Sequence, residues 1–332
     1  MYKVSVIMPI YNGENYLENS LNSIINQTIG FENIELILID DKSTDGTKSI
    51  LKKYSKKYSN IKTIFLDKNH GNPGIPRNIG IKNATSEHIM FIDDDDEYFP
   101  EICEKLYNTL ILENADTVVC NNQLTDNNNI TSHQIDSKEV IYNDEIIYFN
   151  SPSVWNRIFK KSIILDNNIS FHSINAGEDA VFVLNYGMHS KKLVYLTDFI
   201  GYNYVLRKDS LSLYSFDFTN NVIKSFDFMA KLLESNENKY DLNRFFKKYI
   251  PDTIWSVINL NNKYEIKEML YKLSNFEKRI NFTAKLPIMF QFINFFISRG
   301  YLSIATYICL FLQKIRKSNL LLKIYRKFFL EK

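Results

Sequence analysis

The chain has 332 residues, 45% hydrophobic and 23% charged, with a net charge of +2 at pH 7. That is a globular composition with apolar material for two domains; it excludes a disordered chain and argues against a nucleic-acid binder. Cys103, Cys120 and Cys309 form no Cys-x-x-Cys pair, so they give neither a disulfide framework nor a zinc site, and with no secretory signal in view they fit the reducing cytoplasm.

Segments 4–8, 34–39, 61–66 and 88–92 are short, apolar and rich in Ile and Val, and read as buried strands. Helical stretches at 14–27, 44–58 and 76–84 separate them, the second opening on the N-cap formers Ser43-Thr44-Asp45. The alternation predicts an α/β fold: a Rossmann-like, mainly parallel sheet with helices on both faces. From 116 to 207 short strands mix with a helix at 178–189, and after Ser212 the pattern is helical. The expected domains are 1–212, catalytic, and 213–332, a helical region.

Parallel sheets bind ligands at the carboxyl ends of their strands. The residues there are Pro9, Tyr11, Asn12 and Glu14 after the first strand and Asp40 and Asp41 after the second. Asp67, Asn69, His70 and Gly71 follow the third, and Asp93-Asp94-Asp95-Asp96 the fourth. In an extended segment Asp93 and Asp95 share a face and can grip a divalent cation whose other ligands are diphosphate oxygens, as Mg²⁺ or Mn²⁺ accepts. In the loop 71–80, Pro76 suits a first helical turn and Arg77 beside a helix start suits an anion. Gly177-Glu178-Asp179 opens a helix; its carboxylates serve either as dipole partners or as a general base for an acceptor hydroxyl.

These motifs, in this order, resemble the family 2 glycosyltransferases of GT-A fold. The resemblance runs through Val4-Ser5-Val6-Ile7-Met8-Pro9-Ile10-Tyr11-Asn12, Ser23-Ile24-Ile25-Asn26-Gln27-Thr28, Ile39-Asp40-Asp41-Lys42-Ser43-Thr44-Asp45-Gly46-Thr47, Arg77-Asn78 and the aspartate run, over residues 1 to about 212. It implies that Pro9, Tyr11 and Glu14, with Asn12, line the base and ribose pocket and that Asp41 reads a uracil ring. It implies Asp95 as metal ligand with Asp93, Asp93 or Asp94 near the ribose or sugar, Arg77 by the donor diphosphate and Asp179 as catalytic base. Trp155-Asn156-Arg157-Ile158-Phe159-Lys160 resembles the segment before the acceptor site. Tyr204, Arg207, Ser210 and Ser212 resemble an arginine–serine segment, with Arg207 on the leaving diphosphate.

The activity implied is an inverting transfer of a hexose or N-acetylhexosamine from a UDP-sugar, with Mn²⁺ or Mg²⁺, to a hydroxyl of a cell-surface glycan: capsule, lipid-linked oligosaccharide or teichoic-acid-like polymer. The loop 71–77 resembles the wall-teichoic-acid branch, which transfers N-acetylglucosamine. No Gln-x-x-Arg-Trp motif is present, which favours one sugar per encounter. Two rivals are a sugar nucleotidyltransferase and an inactive glycan-binding scaffold. The first needs a glycine-rich loop where Pro9-Ile10-Tyr11-Asn12 stands; the second leaves Asp41, Asp93, Asp95 and Asp179 unexplained.

The stretch 286–312 is strongly apolar, but Arg299 and Gly300 divide it into uncharged runs of 13 and 14 residues, each short of the ~20 that cross a bilayer. Residues 313–332 carry +6 on a body of −4. Leu321, Ile324, Tyr325 and Phe328 repeat at helical spacing among basic residues. Such a helix suits the anionic inner face of a membrane, packing on the body, or pairing with a second subunit.

Overall fold

The computed structural model describes residues 1–126, 129–133, 139–149, 151–207, 215–236 and 239–317. Two compact units divide the chain, Met1–Lys208 and Asp209–Lys332, so the division falls a few residues before the expected boundary; residues 208–214 lie outside the described segments.

The first unit opens with β1 (Val4–Ile10), α1 (Leu17–Ile25), β2 (Ile34–Asp40), α2 (Thr47–Lys57), β3 (Ile61–Phe65), α3 (Gly74–Asn83) and β4 (His88–Phe91). Alternate residues of the central strands enter opposite cores. Val4, Val6, Met8 and Ile10 join Leu17, Leu21 and Ile24 of α1, while Ile7, Ile37 and Ile39 join Ile81 of α3. A strand buried on both faces needs this uninterrupted apolar run.

The chain continues with β5 (Glu97–Tyr98), α4 (Ile102–Leu112), β6 (Thr117–Asp126), β7 (Asn129–His133), β8 (Val140–Tyr142), α5 (Ile146–Phe149), β9 (Arg157–Lys160), α6 (Lys161–Asp166), α7 (Glu178–Met188) and β10 (Lys192–Leu206). The sheet order is β3-β2-β1-β4-β9-β6-β10-β5, with β7 on β6 and β8 on β10. Strands β3 to β4 pair in parallel. Beyond β4 the pairing turns antiparallel through β9, so the α/β sheet is mixed. Because β2 and β4 flank β1 on opposite sides, their crossovers diverge and leave a crevice at the end of β1.

Three helix starts differ from the reading above, α3 beginning at Gly74 and not at 76. Helix α2 begins at Thr47, not at 44, and α1 at Leu17, not at 14. The polar residues ahead of α1 and α2 are bonded across to the other loop, and only Asp45 also serves its own helix, accepting from Thr47 N–H at 3.0 Å.

The second unit contains α8 (Phe216–Glu234), α9 (Leu242–Ile258), α10 (Lys263–Arg279), α11 (Ile288–Ser298) and α12 (Leu302–Lys317). Gly300, at φ 77°, breaks the apolar stretch between α11 and α12. None of the described helices is long and apolar enough to cross a membrane. Of the expected basic tail, 313–317 end α12 and 318–332 lie outside the described residues.

Candidate active site

The crevice begins where β4 stops pairing with β1. That ladder covers only Ser5, Val6 and Ile7, so Pro9, which has no N–H, occupies a position free of β4. Past Ile10, Asn12 turns back at φ 53° and its loop zips onto the one after β2. Asn12 N–H donates to Ser43 Oγ at 2.9 Å, and Thr44 N–H to Asn12 Oδ1 at 2.8 Å. Glu14 N–H donates to Asp45 Oδ2, and Gly46 N–H to Glu14 Oε2. Asn12 and Glu14 therefore shape this wall through the backbone of 43–46, while the Tyr11 ring stands half-exposed over the crevice.

The four aspartates form a turn, not the extended segment expected: Asp96 N–H donates to Asp93 O at 3.2 Å. Four carboxylates in one direction would repel one another, and each takes its own partner. Asp93 receives Arg77 Nη2 at 2.7 Å, and Asp94 the Tyr11 N–H at 3.2 Å. Asp95 pairs with Arg207, whose guanidinium lies 4.0 Å over the Tyr16 ring. Asp96, fully buried, accepts from the Tyr202 hydroxyl at 2.7 Å and Val205 N–H at 2.8 Å. Burial pushes Asp94 up to about 7, against the pull of the Tyr11 N–H. Burial, then Asp93, raise Asp96 well above the carboxylate range. Helix α1 holds the turn, Ser20 Oγ donating to the carbonyls of Asp94 and Asp96, and Gln27 just past its end bonds Phe99 O and Cys103 N–H ahead of and within α4.

Arg77 is 2% exposed. The sequence pointed it at a diphosphate; in the fold it bridges carboxylates, meeting Asp179 at 2.6 Å, Asp93 at 2.7 Å and Glu178 at 3.6 Å. Burial alone would weaken its charged form, and the carboxylates more than offset that. Its Nε has no partner among the described residues. Gly80, three residues on and on the same face of α3, lets the helix lie against Ile7 and Ile39. Asn78 exchanges two hydrogen bonds with the Phe171 backbone, at 2.9 and 2.8 Å, pinning the segment that leads to Asp179. Burial pushes Asp179 up to about 6, opposed by Arg77. Burial and then Asp179 push Glu178 up to about 8.

Asp41, buried at the end of β2, is engaged by His70: its N–H at 2.8 Å and its Nδ1 at 2.6 Å. His70 stood among the strand-end residues, but nothing in the sequence joined it to Asp41, 29 positions away. Trp155 stacks on Tyr202 with centroids 4.3 Å apart. Arg157 is fully buried, and its charge favours the ionised form of Asp179. Ser210 and Ser212 fall outside the described residues.

Among the described residues no three His, Cys, Asp or Glu side chains converge on a cation position. Asp93 and Asp95 hold different guanidinium groups, Arg77 and Arg207, so a hard cation here would have to take most of its ligands from phosphate and water. Arg77 thus ties Asp93 to Asp179, while Arg207 holds Asp95 and His70 holds Asp41.

Residues 5–168 match the family model described as glycosyl transferase family 2. The chain is 33% identical over 215 residues to a poly(ribitol-phosphate) beta-glucosyltransferase of Bacillus spizizenii, covering 62% of this chain and 33% of that one. It is 29% identical over 296 residues to the poly(ribitol-phosphate) beta-N-acetylglucosaminyltransferase TarP of Staphylococcus aureus, covering 85% and 89%. The chain thus spans about a third of the first relative and most of the second. The crystal structure of S. aureus TarS 1-349 in complex with UDP superposes with a TM-score of 0.73 at 21% identity, over 93% of this chain and 90% of that one. The matched segment holds the strand-end loops that build the crevice, and residues 5–168 belong to glycosyl transferase family 2.

Proposed function

We propose that this chain transfers a hexose or N-acetylhexosamine, with inversion, from a UDP-sugar to a hydroxyl of a cell-surface glycan, a teichoic-acid-like polyol phosphate being the class on which the relatives act. The observation that carries the reading is Arg77 joining Asp93, on the donor side of the crevice, to Asp179 on the other. Tyr11, Pro9 and Asp41 form the base and ribose wall, with His70 orienting Asp41. Asp95 and Asp93 would hold Mn²⁺ or Mg²⁺ jointly with the donor diphosphate; the ion supplies Lewis-acid stabilisation of the charge growing on the leaving nucleotide.

Asp179 takes the proton of the acceptor hydroxyl as that oxygen attacks the anomeric carbon opposite the nucleotide. Its raised proton affinity makes it a stronger base than an exposed aspartate while leaving it ionised at neutral pH. Arg207, at the rim beside Asp95, turns to the diphosphate when the donor arrives. Catalysis then needs no general acid, unlike a glycosidase, which flanks the scissile bond with two carboxyl groups. The site works on the cytoplasmic side, where UDP-sugars are made.

The test is UDP release from UDP-glucose and UDP-N-acetylglucosamine with Mn²⁺ and a poly(ribitol phosphate) acceptor. Asp179→Asn should lose turnover by at least about 10²-fold while its donor Kd stays near wild type. Wild-type turnover by that variant would remove Asp179 from the mechanism, and full activity in a chelator would remove the metal.

A further inference from the structure

Helices α11 and α12 contact each other, and both pack on α10. Each buries one side, Ile293 and Ile297 in α11, Ala305 and Cys309 in α12. The other sides carry Ile288, Phe292 and Phe295, then Ile304, Tyr307 and Phe311, each 47% to 71% exposed. Their spacings of three and four residues draw one apolar stripe along each helix. Single exposed hydrophobics are ordinary, but two adjoining stripes of large side chains mark a contact surface.

The charge around them is one-sided. From Phe282 to Lys317, the stretch that forms the two helices, the chain has five lysines and arginines and no acidic residue. Cations lie among the aromatics: Arg299 is 3.8 Å from the Phe295 ring centroid, and Lys263 Nζ is 4.4 Å from that of Tyr307 and bonded to its hydroxyl at 2.9 Å. A two-fold contact with a second copy would set these cations against their own kind. An anionic bilayer complements both features: its phosphates meet the cations, and its headgroup–acyl boundary takes the aromatic and aliphatic side chains.

We propose that the α11–α12 face docks on the surface of an anionic lipid bilayer, lying in the interface without spanning it. Its residues belong to the second unit, and the proposal does not depend on which sugar, if any, the crevice transfers.

The test is co-sedimentation of the full chain with phosphatidylcholine vesicles, with and without phosphatidylglycerol, at low and high salt. Wild type should pellet with the anionic vesicles, and less so at high salt. The variant Phe292→Glu/Phe295→Glu/Phe311→Glu should lose binding by at least about ten-fold with an unchanged thermal midpoint, since these positions are exposed. Equal binding by variant and wild type would assign the contact to other residues and overturn the proposal. So would a wild type that ignores vesicles, and analytical ultracentrifugation showing an oligomer that the variant converts to monomer would name a second copy as the occupant. None of these readouts uses transferase activity, so a failed sugar assay leaves them intact.

Discussion

Arg77 and Asp179 stand 102 residues apart in the chain and 2.6 Å apart in the fold, and the other arm of the same guanidinium holds Asp93. The planar fork serves both carboxylates at once, which a lysine ammonium does not. Arg77→Lys should therefore keep a positive charge yet lose about 10²-fold in kcat/KM, because one carboxylate is released from its place. The pH profile separates positioning from general damage. Asp179 titrates near 6 and acts ionised, so wild-type kcat/KM should fall as pH drops through that value. Arg77 lowers the proton affinity of Asp179, so weakening the pair should move this acid limb to higher pH. An unshifted limb would mean that Arg77 acts elsewhere.

Asp95 and Arg207 form the second coupled pair, and it makes a prediction of opposite signs. The expected metal ligand is held by the arginine expected on the diphosphate. Without nucleotide, Arg207→Ala should bind Mn²⁺ more tightly than wild type, because Asp95 is freed. With nucleotide, the same variant should bind UDP and Mn²⁺ about ten-fold or more weakly, having lost a charged hydrogen bond. Titration calorimetry of both steps checks this. Weakening of both by equal factors would leave Arg207 a structural role only.

The strand-end location of the site was legible because β1 and β2 are buried on both faces, and such runs cannot hide in sequence. The antiparallel half was not: β9 is four residues long, and its neighbours β4 and β6 lie far from it in the chain. Within the site, residue types were legible and directions were not. The aspartate run read as an extended pair, yet Arg77, Tyr11, Arg207 and Tyr202 each draw one carboxylate a different way, from 16 to 112 positions along the chain. Ser43, Thr44 and Asp45 read as helix caps because their side chains favour that role. In the fold the Asn12 N–H takes Ser43, Asn12 Oδ1 accepts from Thr44 N–H, and Glu14 N–H takes one Asp45 oxygen, leaving only the other to Thr47 N–H.

Gly80 couples stability to the site. A Cβ there would lie 2.3 Å from Ile7 Cγ2 and 3.1 Å from Ile39 Cδ1. Alanine is the better helix former by about 1 kcal/mol, but overpacking against a rigid strand costs roughly 1–3 kcal/mol. Gly80→Ala should thus be neutral to destabilising, where helix propensity alone predicts a gain. It also lifts α3 from the sheet and Arg77 with it, so kcat/KM should fall by more than the loss of folded protein explains. Urea unfolding beside kinetics on the folded fraction decides; a more stable, fully active variant would show that Ile7 yields freely.

The second unit carries its own pH dependence. Glu277 in α10 is 3% exposed, and burial pushes it from an ordinary 4.5 up to about 8. The Asn294 amide, turned so that its nitrogen faces the carboxylate, donates to the two oxygens at 2.6 and 3.0 Å and pulls against that shift. Below pH 4.5 the folded and unfolded chains both hold the proton, and this group leaves stability independent of pH. Between 4.5 and 8 the unfolded chain releases it while the folded one keeps it. Stability should then fall with rising pH by roughly 1.4 kcal/mol per unit at most. Above 8 the loss is complete. Glu277→Gln is neutral in both states and should lack that slope, matching wild type at pH 5 and exceeding it at pH 8. Trp155 lies in the first unit and Trp255 in the second, so in a Trp155→Phe background the fluorescence of Trp255 follows this unit alone during urea unfolding. Parallel pH curves for the two proteins would show that Glu277 releases its proton at the same pH folded and unfolded.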